Sequence, residues 1–201
     1  MKKTLFALMA VCVISIAGCK NNDSKTTSTS ATKVSKQVEL TSYNAPVFET
    51  AVAYNDYIIN RQKEVYGFIF KMSDASNTSP AAAEKVIDEA LPAIDKILGE
   101  IKDMPPFKGD VAFRDAAVVL FSFYKTTFDK SYRAIMEINK KGAKKTAADI
   151  ARMTQISNDI TNNEAQLDIT MKTNQKNFGV ANGMMIQENT ELQEKVNELG
   201  K

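Results

Sequence analysis

From Phe48 onward, apolar side chains recur at alternating steps of four and three, with no sustained alternation of two. The first stripe runs through Phe48, Val52, Asn55, Ile59, Gln62, Tyr66, Ile69 and Ser73, widened by Ala51, Ile58 and Val65. That spacing is the period of an amphipathic helix. Pro46 suits a first helical turn and Ser76-Asn77-Thr78 breaks the pattern, so the stripe predicts a helix beginning near Pro46. A second stripe, from Ala83 to Met104, follows Ser79 as cap and Pro80 at the first helical position. Pro92 lies inside it, lacks the amide proton owed to the Asp88 carbonyl, and predicts a kink. Pro105-Pro106 stops this helix, and Lys108-Gly109-Asp110 supplies a turn.

The third segment is the most aromatic, with Phe113, Leu120, Phe123, Tyr124, Thr127, Phe128, Ile135 and Ile138 on its face, and it ends at Gly142. A fourth starts near Thr146 and holds a seven-residue repeat through Ile150, Met153, Ser157, Ile160, Glu164, Leu167, Met171, Asn174, Phe178 and Ala181. Such a repeat marks near-parallel helix packing. Gly179 and Gly183 weaken it, and Glu188 to Leu199 reads as a short amphipathic helix with Leu192, Val196 and Leu199 aligned. Four segments of matched length with short connections predict an all-α fold, an up-down-up-down four-helix bundle over residues 45–183, with a tail over 184–201.

The chain ahead of the bundle reads differently. Lys2 and Lys3 precede an apolar run from Leu5 to Ala17, too short for the roughly 20 residues that a helix needs to span a bilayer. The run closes on Ile16-Ala17-Gly18-Cys19, which resembles the lipobox of bacterial lipoproteins. The resemblance implies that residues 1–18 are a signal peptide and that Cys19 becomes the first mature residue, carrying diacylglycerol and an acylated amine. Lys20 rather than Asp follows the cysteine, which by the same resemblance implies an outer-membrane address, periplasmic or surface-exposed. Residues 19–44 then read as a tether, because the stretch Ser24–Ser35 is dominated by Ser and Thr and offers little apolar area to bury.

Composition narrows the chemistry. The chain has 26 Lys and Arg against 24 Asp and Glu. Both excess cations lie in the leader, so the mature chain is formally neutral, which argues against a nucleic-acid partner. There is no histidine, and the two cysteines are Cys12 in the leader and the anchor Cys19. That leaves no thiol for catalysis and no Glu-x-x-His pair for a di-metal centre. No metal and no cofactor beyond the acyl anchor is expected.

Two groups of polar residues stand out. Asn55, Gln62, Glu164 and Asn174 interrupt the stripes of the first and last helices, which run antiparallel in such a bundle. Asn55 is expected to meet Asn174, and Gln62 to approach Glu164. They either satisfy one another and fix register or form a polar seam that grips a small ligand. Lys140, Lys141, Lys144 and Lys145 crowd the turn between the third and fourth helices, either neutralising helix-end carbonyls or offering a patch to an acidic partner. Carboxylates such as Glu64 and Asp74 lack a neighbour that would mark them for hydrolysis. Tyr54-Asn55-Asp56-Tyr57 with Gln62, and the stretch from Asn174 to Phe178, resemble bacterial surface or envelope lipoproteins built as helical bundles. The resemblance implies an anchored helical lipoprotein and carries no chemistry. The expected role is non-enzymatic binding to a protein or glycan, with small-ligand binding in the seam and a carboxylate-dependent hydrolase as alternatives.

Overall fold

The structure, a computed structural model, describes residues 15–17 and 47–189, with side chains over 47–186. It is all-α. Helix α1 spans Ala51–Thr78, α2 Pro80–Lys102, α3 Ala112–Thr126, α4 Arg133–Lys140 and α5 Ala147–Ala181. A π-helical turn, Thr127–Tyr132, fuses α3 and α4 into one long rod. The bundle therefore has the expected four helical members.

The helix ends follow from local hydrogen bonding. Thr50 is extended and its hydroxyl accepts from the Ala53 amide at 3.1 Å, so α1 starts at Ala51 rather than near Pro46, which lies outside the described residues. Ser79 serves two helices at once. Its amide bonds the Ala75 carbonyl and closes α1, while its hydroxyl accepts from the Ala82 amide and opens α2. One residue between the helices forces them antiparallel. At the start of α5, Thr146 and Asp149 form a reciprocal capping box. Between α2 and α3, Phe107 and Asp110 exchange two backbone hydrogen bonds around Lys108 and Gly109, both with positive φ. This tight turn swings the Phe107 ring into the core.

The π turn has a readable cause. Tyr124, Phe128, Tyr132 and Met136 are all buried, four residues apart. On an α-helix each such step drifts by about 40° off the face. The wider turn absorbs that drift and keeps both Phe128 and Tyr132 pointing inward.

Backbone packing is uneven around the bundle. α1 lies closely along α2, α2 along the third rod, and that rod along α5, whereas α1 and α5 hardly approach one another at the backbone. Long side chains bridge this wider seam. At one end Tyr54 of α1 stacks on Phe178 of α5, centroids 5.3 Å apart, with Phe48, Phe107 and Phe113 around them.

The C-terminal end corrects one expectation. Gly179 does not weaken α5; it is buried inside the helix, and its bare Cα makes room for Ile186 as residues 182–186 turn back. Gly183, at φ +67°, provides the turn, and the Met184 amide bonds the Gly179 carbonyl at 2.8 Å. Beyond it Gln187–Asn189 forms a short antiparallel ladder with Ser15–Ala17 rather than the start of a helix. The rest of the predicted tail, with Leu192, Val196 and Leu199, lies outside the described residues, as do Cys19 and the tether. A Cβ at position 179 would stand 2.4 Å from the Ile186 Cδ1 atom. Gly179→Ala is therefore expected to leave helix content unchanged but lift the returning turn, read as faster hydrogen exchange at the Met184 amide. Unchanged exchange there would show that Ile186 merely swings aside.

Candidate functional site

The seam between α1 and α5 holds most of the buried polar side chains: Asn55 and Gln62 on α1, and Ser157, Glu164, Asp168 and Gln175 on α5. The predicted seam residues Asn55, Gln62 and Glu164 are all 3% exposed or less, so the stripes were read on the correct faces. Asn174 is the exception. It is half-buried and its amide bonds the Thr170 carbonyl of its own helix, while Gln175 turns inward and donates to the Asn55 carbonyl oxygen at 2.6 Å. The expected partner was one residue off. A strict seven-residue repeat presumes 3.5 residues per turn, and a straight helix drifts by about 20° per heptad against it. Along α5 the inward positions accordingly change from Met153, Ser157, Ile160 and Glu164 to Asp168, Met171, Gln175 and Phe178.

Gln62 and Glu164 do not touch directly; two tyrosines link them. The Gln62 amide nitrogen lies 3.2 Å from the Tyr66 hydroxyl, Tyr66 lies 2.9 Å from the Tyr124 hydroxyl, and Tyr124 lies 3.0 Å from Glu164 Oε1. Each hydroxyl has one proton, so the directions are constrained. An ionised Glu164 only accepts. Tyr124 then donates to Glu164, Tyr66 to Tyr124, and Gln62 to Tyr66, so all three bonds run one way. Tyr124 comes from α3 and fills the gap that α1 and α5 leave between their backbones.

Electrostatics make this chain sensitive to protons. Glu164 is pushed up to about 7, chiefly by desolvation, with the Tyr124 hydrogen bond opposing and the Asp168 charge adding to the rise. Asp168 is raised by the same burial, opposed by Lys172 one helical turn on, with which it forms an ion pair. Its Oδ1 atom finds no hydrogen-bond partner among the described residues. Burial also raises Tyr66, Tyr124 and Tyr132, each reinforced by the Glu164 charge. The folded chain thus keeps a proton on Glu164 that an unfolded chain, with an ordinary value near 4.5, has already released. The associated stability is fully present below about 4.5 and is lost as pH rises through about 7, a change of about 3 kcal/mol.

The other predicted groups are engaged elsewhere. Lys140 pairs with Glu84 and Glu137 at 2.7 Å, Lys141 with Asp149 at 2.5 Å, and Lys145 donates to the Asn139 side chain, leaving Lys144 exposed on a 3₁₀ turn. The cluster is thus largely tied into its own helix ends. Glu64 and Asp74 are both exposed on α1, and Glu64 pairs with Arg61. Sequence reasoning missed Tyr124 and Tyr132 as seam residues, and Asp168 and Gln175 altogether. The spacing by four of the third segment's aromatics and the drift of the heptad were the signals available. Among the described residues no three carboxylate, histidine or cysteine side chains converge as a metal site. A shallow groove of about 120 Å³ is lined by Phe123, Ser131, Ile156, Asp159, Ile160 and Asn163, and no member of the seam chain lines it.

Removing Gln175 strands the buried Asn55 oxygen, whereas Asn174 serves only its own helix. Gln175→Ala is expected to lower unfolding free energy by about 1–3 kcal/mol and Asn174→Ala by less than about 0.5, measured by urea unfolding. Equal costs would refute the pairing. Comparison of the chain with family models, with curated proteins and with solved structures finds no match.

Proposed function

We propose that the chain is a lipid-anchored lipoprotein of the bacterial outer membrane whose helical bundle binds a protein or glycan partner without catalysing a reaction. The observation that carries the binding role over the small-ligand alternative is the state of the seam. Asn55, Gln62, Tyr66, Tyr124, Glu164 and Gln175 bond to one another and are buried, so these groups are used to hold helices together. A hydrolase would need two acids facing a cleft; Glu164 and Asp168 face the packed interior. Large apolar side chains are exposed at Val119, Ile150 and Ile169 and, near the start of α1 and the end of α5, at Val47, Val180 and Met185, and these with the polar helix faces are the surface open to a partner.

The anchoring part of the reading rests on the lipobox resemblance at Ile16-Ala17-Gly18-Cys19 and the Ser/Thr-rich segment behind it. No helix among the described residues is long and apolar enough to cross a membrane. Two acyl chains on Cys19 suffice for stable attachment. The turn bearing Lys141 and Lys144 lies at the end of the bundle opposite the start of α1. With an anchor ahead of α1, that turn would face away from the anchoring leaflet. Cleavage before Cys19 would remove Ser15–Ala17 and with them the strand paired to Gln187–Asn189.

Cys19→Ala tests the anchor. Membrane fractions of cells expressing it are expected to lose the protein to the soluble fraction, and protein that stays with membranes would overturn the proposal. Protease shaving of intact cells that carry the wild-type chain then decides between the surface and the periplasm.

A further inference from the structure

The seam does more than hold two helices in register. Glu164 is 2% exposed and its Oε1 accepts from a neutral hydroxyl, that of Tyr124. Around it, α1 presents Gln62 and Tyr66, α3 presents Tyr124, and the π turn presents Tyr132. On its own helix stands Asp168, one turn away, with Lys172 paired to that acid. α2 and α4 turn apolar side chains inward, among them Ile87, Ile94, Ile135 and Met136. The charged group facing Glu164 most closely is thus another acid. A carboxylate in that setting is costly, because burial withdraws it from bulk solvent and the neighbouring charge of Asp168 is negative.

Protonation relieves the cost without breaking the chain. A proton on Oε2 leaves Oε1 free to accept from Tyr124, so Gln62, Tyr66 and Tyr124 stay aligned. Loss of that proton leaves one inexpensive remedy, which is to let water in. The cheapest entrance is between α1 and α5, the neighbouring pair whose backbones pack least closely and whose contacts are long side chains such as Gln175 with Asn55.

We propose that Glu164 is a proton-operated clasp on the α1–α5 seam: with its proton bound the seam is shut, and without it α5 parts from α1 to hydrate the carboxylate. The raised proton affinity of Glu164 places the change between mildly acid and neutral pH. An envelope protein so built carries a bundle that loosens along one edge as its surroundings become less acidic.

The test is hydrogen exchange of the full chain in detergent micelles, followed by mass spectrometry at pH 5 and pH 7 and corrected for intrinsic rates. Linkage through one proton sets at most a tenfold change per pH unit. Between affinities near 4.5 and 7, protection of amides near Gln62–Tyr66 and Glu164–Asp168 is expected to fall about fortyfold from pH 5 to pH 7 relative to Glu164→Gln, with amides of α2 little changed. Equal pH dependence in wild type and Glu164→Gln would overturn the clasp. So would a loss spread evenly over α2, which would mean that the whole bundle unfolds. Tyr124→Phe covers the case in which Glu164→Gln fails to fold. It withdraws the bond that favours the anion, so the loss of protection should continue to higher pH, and an unmoved profile would again refute the proposal.

Discussion

A carboxyl group sits where a four-helix bundle would ordinarily place a leucine. Burying Glu164 demands hydrogen-bond donors and a proton, and much of the surrounding architecture meets that demand. Tyr124 reaches it from α3, Tyr66 supports Tyr124 from α1, and Gln62 supports Tyr66. These side chains are large, and they occupy the space that keeps α1 and α5 apart at the backbone. The apolar side of the bundle is conventional by contrast: Ile87, Ala90, Ile94 and Ile101 of α2 pack without a polar atom to satisfy. Stability is thus drawn from one side of the molecule, and conditional behaviour from the other.

How far the sequence foretold this differs from element to element. The second helix was legible almost residue by residue, because Ser79 and Pro80 fix its start and its face is purely aliphatic. The third was legible as a helix and over most of its inner face, from Phe113, Leu120 and Tyr124 to Ile135 and Ile138, but Phe121, Tyr132 and Met136 were not foreseen. Tyr132 and Met136 fall off a 3.6-residue stripe and return to the core only through the π turn at Thr127–Tyr132. The fourth was read with a rigid heptad that tracked the buried face from Met153 to Glu164, while its first position, Ile150, is exposed. Beyond it, helical drift exchanged Leu167 and Asn174 for Asp168 and Gln175. The tyrosine relay between Gln62 and Glu164 joins three helices, and a one-dimensional pattern contains no statement of which third helix fills a gap between two others.

The polar seam and the lysine cluster share a lesson. Both looked like binding chemistry in the sequence, and in the folded chain both bond mainly to themselves: Asn55 to Gln175, Lys140 to Glu84, Lys141 to Asp149. The described surface left over is largely polar, with large apolar side chains exposed at Val119, Ile150 and Ile169 and, near the start of α1 and the end of α5, at Val47, Val180 and Met185. On the proposed reading, acyl chains would attach the chain, the Ser/Thr-rich segment would set its reach, and the bundle would present its surface to the partner.

The account rests on Glu164 being dry. Carbon-13 NMR of the glutamate side-chain carboxyls, with Glu164 assigned by comparison with Glu164→Gln, measures this most directly. A midpoint near 7 is what a closed seam requires. A midpoint near 4.5, the ordinary value, would mean that water already reaches the carboxylate and that the tyrosine chain does not seal the α1–α5 seam.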